Sequence, residues 1–264
     1  IVALSWVGMS LFGALPFYLS REIPSFTNAF FETVSGFTTT GASILTDVES
    51  MSRGLLFWRS FTHWIGGMGV IVFVMAIIPN IADRSMNIMK AEVPGPTVGK
   101  LVPKARETAK ILYLIYIAMT ILMIAMLFIG GMPFFDSVVH TFGTAGTGGF
   151  GIKSSSIGGY NPYCQWVITV FMLLFSLNFN LYYLILLRKF KSVLKSTELW
   201  FFLGLVVVSI AIITYDISPM YTSFSETIRT SSFQVAPIIS ETYKNSKEKR
   251  NLQSYFEISA NRLA

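Results

Sequence analysis

Five stretches of the chain are apolar at almost every position: Ile1 to Leu19, Gly54 to Ile81, Ile111 to Ile129, Tyr163 to Leu187 and Glu198 to Tyr215. A helix needs about 20 such residues to cross the hydrocarbon layer, so each predicts a membrane span. Two shorter stretches lie between an odd-numbered span and the next. They are "SFTNAFFETVSGF", Ser25 to Phe37, and "MPFFDSVVHTF", Met132 to Phe142. Aromatics recur at near-helical spacing in the first, which opens on Ser25, a residue type that caps helices; the second has Pro133 near its start and Asp136 in its first turn. Each predicts a short helix that enters the membrane from outside without crossing it.

Both short helices lead into polar, glycine-bearing sequence, "TTTGAS" after the first and "GTAGTGGFG" after the second. The unit of span, re-entrant helix, Thr/Gly loop and span therefore occurs twice. Setting Thr40-Gly41 against Thr147-Gly148 places the copies about a hundred residues apart, a period that suits a membrane repeat. Non-helical backbone at membrane depth is tolerated only where it is buried in protein or lines a watery path. A Thr-Thr-Gly loop can turn carbonyls and hydroxyls inward as hard ligands for a dehydrated alkali cation, and glycine supplies the backbone freedom this needs. The re-entrant helix would aim the negative end of its dipole at those ligands. The repeated loop reads as a quarter of an ion filter, and the alternative reading is an ordinary turn.

Composition agrees with a bilayer as solvent. Of 264 residues, 53% are hydrophobic and 13% charged, and the mean hydropathy is +0.59. The net charge of +6 could point to nucleic acid, but the positions of the basic residues explain it differently. Arg84, Lys90, Lys100, Lys104, Arg106 and Lys110 join the second and third spans, and Arg188, Lys189, Lys191 and Lys195 join the fourth and fifth. By the positive-inside rule these loops are cytoplasmic, while the loop carrying Lys153 is external. A nucleic-acid role is thereby excluded. The single Cys164 cannot form an intrachain disulfide. No basic n-region or cleavage site marks a signal peptide, and the start at Ile1 is expected to lack an upstream part.

At these residues the chain resembles the bacterial Trk/Ktr superfamily of potassium uptake proteins, most closely the TrkH type. The stretches that carry the resemblance are "AFFETVSGFTTTGASILTDVE" (Ala29 to Glu49), "RGLLFWRSFTHWIGGMGVIV" (Arg53 to Val72), "AEVPGPTVGKLVPKARETAKILYLIY" (Ala91 to Tyr116), "GTGGFGIKSSSIGGY" (Gly146 to Tyr160) and "FMLLFSLNFNLYYLILL" (Phe171 to Leu187). The resemblance implies an all-α polytopic membrane protein in which span–pore helix–span repeats surround a pseudo-fourfold ion pore. It also implies uptake of potassium, or of potassium and sodium, across the inner cell membrane by a homodimer embedded in lipid, with a cytoplasmic nucleotide-binding regulatory subunit and no cofactor. The family's filter positions fall on Thr38, Thr39, Thr40, Gly41 and Ala42, and on Thr147, Gly148 and Gly149.

The expected organisation is a first pore repeat over residues 1–82, a cytoplasmic basic loop over 83–109, a second repeat over 110–190, an incomplete third over 197–240 and an aberrant polar tail over 241–264. "FSETIRTSSFQV", Phe224 to Val235, looks like the third re-entrant helix, but Glu241-Thr242-Tyr243-Lys244 stands where its filter should follow. The chain is therefore expected to be the first half or so of such a transporter. Its alternatives are a non-conducting remnant and a half-size subunit that self-associates.

The remaining candidates have bland readings. His63 reads as a helix-packing histidine or a proton relay. Gly66, Gly67 and Gly69 lack the preceding strand of a dinucleotide loop and suit close helix packing. His140 has no plausible Ser and Asp partners for a hydrolytic triad, and no enzyme is expected. Glu32 and Asp136 could draw cations to the outer mouth, with helix-start electrostatics an equal account of Asp136. Asn178 and Asn180 line the pore or bond between helices. Lys189, Lys191 and Lys195 touch anionic lipid or a partner, or simply report topology.

Overall fold

A computed structural model of the chain describes residues 2–69, 105–153, 155–221 and 223–240, and every regular element within them is a helix. The order is α1 (Val2–Leu19), α2 (Phe26–Phe37), α3 (Arg53–Gly67), α4 (Ala105–Ile129), α5 (Phe134–Ala145), α6 (Pro162–Ser176), α7 (Phe179–Leu186), α8 (Phe190–Leu194), α9 (Thr197–Ile217) and α10 (Phe224–Ser240), with a 3-10 turn, Ser218–Met220, after α9. The all-α class holds. Two helical stretches are long and apolar enough to cross a membrane, Ala109–Ile129 with a mean hydropathy of 2.6 and Thr197–Met220 with 2.1. Phe12, Ile129, Phe201 and Val207 on these spans and on α1 face outward, as they would when hydrocarbon is the solvent. The expected second span is seen as α3, and its remainder lies outside the described residues together with residues 83–104 of the basic loop and the tail, while residues 105–109, expected in that loop, already belong to α4.

The fourth span is not one straight helix. α6 and α7 meet at 89°. Asn178 causes the new start, because its Oδ1 accepts the Asn180 N–H at 3.0 Å as an N-cap, a local bond that competes with helix continuation. Its Nδ2 donates to Glu198 Oε2 on α9 at 3.3 Å. Of the two readings of Asn178, bonding between helices is the one observed. Unbroken apolarity on both sides of the bend hid it from the sequence pattern.

α2 and α5 are both twelve residues long. An offset of 108 residues carries Phe26 to Phe134 and Phe37 to Ala145. The pairing of Thr40-Gly41 with Thr147-Gly148 is thus one residue out: helix ends fix the equivalence, and they match Thr39 with Thr147 and Gly41 with Gly149. One further expectation is corrected. Ser25 stands at the N-cap of α2 but its side chain makes no capping bond, the Ala29 N–H reaching the Ser25 carbonyl instead. The third re-entrant helix runs from Phe224 to Ser240, to the end of the expected third repeat.

Each span packs on its own re-entrant helix, α1 on α2, α4 on α5 and α9 on α10. Each return helix also touches the re-entrant helix of the next unit, α3 on α5 and α6 on α10. The units therefore follow one another in one sense. One apolar core runs from Tyr116, Met123 and Leu127 on α4 through Ile168 and Met172 on α6 to Phe233 and Ala236 on α10. A second holds Phe17, Ala29 and Leu56 of the first unit together with Val139 and Ile152 of the second. Burial of these side chains, at roughly 1.5–3 kcal/mol each in water and through close packing within lipid, fixes where α2 and α5 end.

Candidate functional site

α2 and α5 end in the same way. The Thr39 N–H bonds the Gly36 carbonyl at 3.0 Å and the Thr40 N–H bonds the Ser35 carbonyl at 3.0 Å. In α5 the Thr147 N–H bonds Thr144 at 2.9 Å and the Gly148 N–H bonds Gly143 at 3.2 Å. This double bond pattern is the Schellman helix end, which places its next residue in the left-handed region and normally uses glycine there. Here that residue is Thr39, φ 56°, and Thr147, φ 53°. A β-branched residue at positive φ is an outlier. Two residues further on, Gly41 has φ 69° and Gly149 φ 75°. Left-handed residues at every second position offset the alternation of an extended strand, allowing successive carbonyls to face one side.

The two loops touch. A Cβ built on Gly41 would collide with the carbonyl of Gly148. Thr38 Oγ1 donates to the Val34 carbonyl at 2.7 Å and lies 2.9 Å from Thr40 Oγ1. Ser35 Oγ donates to the Ala42 carbonyl at 2.5 Å, tying the loop back to its helix. Among the described residues the carbonyls of Thr38, Thr39, Thr40 and Gly41, and those of Thr147, Gly148 and Gly149, accept no hydrogen bond.

α3 forms the wall behind both loops. A Cβ on Gly66 would strike the Phe37 carbonyl, and one on Gly67 would sit 2.6 Å from Gly146 Cα, 2.7 Å from Tyr116 Oη and 3.0 Å from the Ala145 carbonyl. Both glycines are thus sites of close packing. Gly67→Ala is expected to destabilise the detergent-solubilised protein by about 1–3 kcal/mol through overpacking. A thermal melt checks this, and an unchanged midpoint would show that α3 has room to shift. His63, fully buried, lies against Gly148 and stacks on Phe150 with ring centroids 3.8 Å apart. The packing reading of His63 fits.

Glu32 is not a free charge at a mouth. It is 1% exposed, and its Oε1 pairs with Arg59 Nε at 2.6 Å. Asp136 Oδ2 accepts from Tyr160 Oη at 2.8 Å, and His140 packs edge-on to Tyr160. Among the described residues no group of three His, Cys, Asp or Glu gathers as a metal site. The sequence reading passed over three residues of this site: Gly146, Phe150 and Arg59. The signal for Arg59 was present, since an ionisable side chain within an apolar span is functional by default.

A family profile for TrkH, described as a cation transport protein, matches residues 1–254. The Trk system potassium uptake protein TrkH of Salmonella typhimurium is 37% identical over 242 residues, covering 89% of this chain and 50% of that protein. The Trk system potassium uptake protein TrkI of Halomonas elongata is 34% identical over 248 residues, covering 92% and 49%. The crystal structure of the potassium transporter TrkH from Vibrio parahaemolyticus matches with a TM-score of 0.72 at 30% identity, over 90% of this chain and 49% of that one. The chain spans about half the length of the curated relatives it matches. These relatives are named for transport and not for catalysis. Helices fit to span a membrane, a helix–loop unit repeated at one offset and likeness along nine-tenths of its length together place this chain in the TrkH family of cation transport proteins.

Proposed function

We propose that the chain supplies two adjacent quadrants of a potassium filter to a Trk-type uptake pathway in the cell membrane. The observation that carries this reading is the two runs of carbonyls, from Thr38 to Gly41 and from Thr147 to Gly149, that accept no hydrogen bond among the described residues. An unpaired carbonyl at membrane depth costs several kcal/mol unless water or a cation takes its place. Both runs stand at the C-terminal, negative ends of α2 and α5, which favours a cation. Thr38, Thr39, Thr40, Gly41 and Ala42 act as one quadrant and Thr147, Gly148 and Gly149 as the next. Gly146 joins them as the counterpart of Thr38. The ion is potassium, or potassium and sodium, and passes as a dehydrated cation. The homodimer and the nucleotide-binding regulatory subunit rest on the family resemblance alone.

Reconstitution of the whole protein that carries this sequence into proteoliposomes tests the proposal. Under an outward K⁺ gradient, tracer Rb⁺ should accumulate faster than tracer Na⁺ does under the matching Na⁺ gradient. Accumulation no faster than in protein-free vesicles would overturn it.

A further inference from the structure

The proposed filter has a pair of buried charges behind it that no part of ion coordination explains. We propose that Arg59 is a positioning residue that fastens the two filter loops to each other and thereby sets which cation they prefer. The inference rests on the filter reading of those loops.

Arg59 is 3% exposed and stands on α3, which belongs to the first unit but packs on the re-entrant helix of the second. Its guanidinium reaches the second loop directly and the first through Glu32. Nε donates to Glu32 Oε1 at 2.6 Å, and Nη1 donates to the Gly151 carbonyl at 3.1 Å. Glu32 in turn accepts from Ser43 Oγ at 2.9 Å and from the Ile44 N–H at 3.1 Å. Ser43 and Ile44 follow Gly41 by two and three residues, and Gly151 follows Gly149 by two. The near ends of the loops are held by their Schellman bonds, and the far ends meet at this one side chain. The grip is reinforced on the second loop: Arg59 Cζ lies 3.5 Å from the centroid of the Phe150 ring, which His63, one helical turn along α3, also stacks against.

Stability alone does not account for this arrangement, since a buried ion pair is often matched or bettered by well-packed apolar residues. What the pair supplies is direction. A guanidinium is a planar fork whose donors point along fixed lines, so binding a carboxylate with one edge and a carbonyl with another fixes the relative position of the two. Apolar packing could hold the loops together but would let them slide. Discrimination between alkali cations depends on the size and field of the carbonyl cage. A link between the far ends of adjacent quadrants acts on both.

The ratio of Rb⁺ to Na⁺ uptake by the whole protein in proteoliposomes is the readout, because loss of folded protein lowers both fluxes and leaves their ratio alone. Glu32→Gln with Arg59→Gln removes the fork without leaving either charge buried and alone. The ratio is expected to fall about tenfold, the scale on which groups that hold ion ligands from behind tune a site. A wild-type ratio would overturn the proposal. If the double variant does not reach the membrane, Phe150→Leu decides in the same assay, since it removes the ring against Arg59 and leaves every charge paired. A lowered ratio supports the proposal and a wild-type ratio overturns it. Gly41→Ser, measured in parallel, separates the layers of argument. A shift there without one in the Arg59 variants defeats only the positioning role. No shift in any variant defeats the filter reading as well.

Discussion

Gly41→Ser is expected to cost the whole protein most of its preference for K⁺ over Na⁺ while the protein still inserts. Two independent observations carry the expectation. Gly41 has φ 69°, and holding a side chain in a sparsely populated region of this kind costs about 1–3 kcal/mol. A Cβ there would also meet the Gly148 carbonyl and carbon of the neighbouring loop, neither of which is the far end of a pliable side chain. The loops must separate or Gly41 must change conformation, and either alters the cage shared by the two quadrants. Only the part of this strain that is relieved differently with K⁺ and with Na⁺ bound moves the ion preference, and about 1.4 kcal/mol of that difference is a factor of ten. Insertion depends on the apolar faces of the spans, which this substitution does not touch. Rb⁺ and Na⁺ uptake from the same vesicles measures the outcome. An unchanged ratio would make Gly41 a turn residue and remove the basis for the filter.

The parts of this architecture that were legible in the sequence are those written in long apolar runs or in repeated short ones. α4 and α9 follow from uninterrupted hydrophobicity, α2 from aromatic spacing between the spans, and α5 from a short apolar stretch opened by Pro133 and Asp136. The two Thr/Gly loops stood out in the sequence because Thr and Gly have no place on a lipid-facing helix. Their register was not legible, because matching one Thr-Gly pair to another follows residue identity, whereas the repeat is set by where the last helical hydrogen bond falls. Thr39 and Thr147 are equivalent through their bonds to Gly36 and Thr144. No residue pattern states that. The break between α6 and α7 was hidden for a related reason: one asparagine bonding to its own backbone ends a helix without interrupting the apolar run. Arg59 was legible in kind, as a charge in a span, but its partners Glu32 and Gly151 lie 27 and 92 residues away. Only the fold brings them together.

The second large effect is expected from making the loops easier to fold. Thr39→Gly together with Thr147→Gly should raise thermal stability and lower ion selectivity at once. The end of α4 shows the residue this geometry favours: it closes with a Met132–Leu127 bond, and Gly131 takes the left-handed position at φ 86°. At both Thr/Gly loops that position is a threonine instead. The strain costs about 1–3 kcal/mol per site, and glycine gives back about 0.5–1 kcal/mol through the larger entropy of the unfolded chain. The net gain is about 1 kcal/mol per site, worth about 2–4 °C in melting temperature for a chain of this size. What threonine contributes in return is stiffness. Its branched side chain narrows the backbone wells open to the loop, and the Thr39 methyl lies where a Cβ on Gly66 would approach within 3.0 Å, so it is packed against α3. Glycine frees both loops to sample other carbonyl orientations, and selectivity falls with that freedom. Arg188→Gly is the control. Arg188 occupies the same kind of helix end after α7, at φ 56° with a Lys189–Leu184 bond, but it stands away from the filter. It should raise the melting temperature without moving the ion ratio. If the double threonine variant gained stability and kept full selectivity, the left-handed threonines would be incidental to the filter. A loss of stability would show that their side-chain packing outweighs the strain.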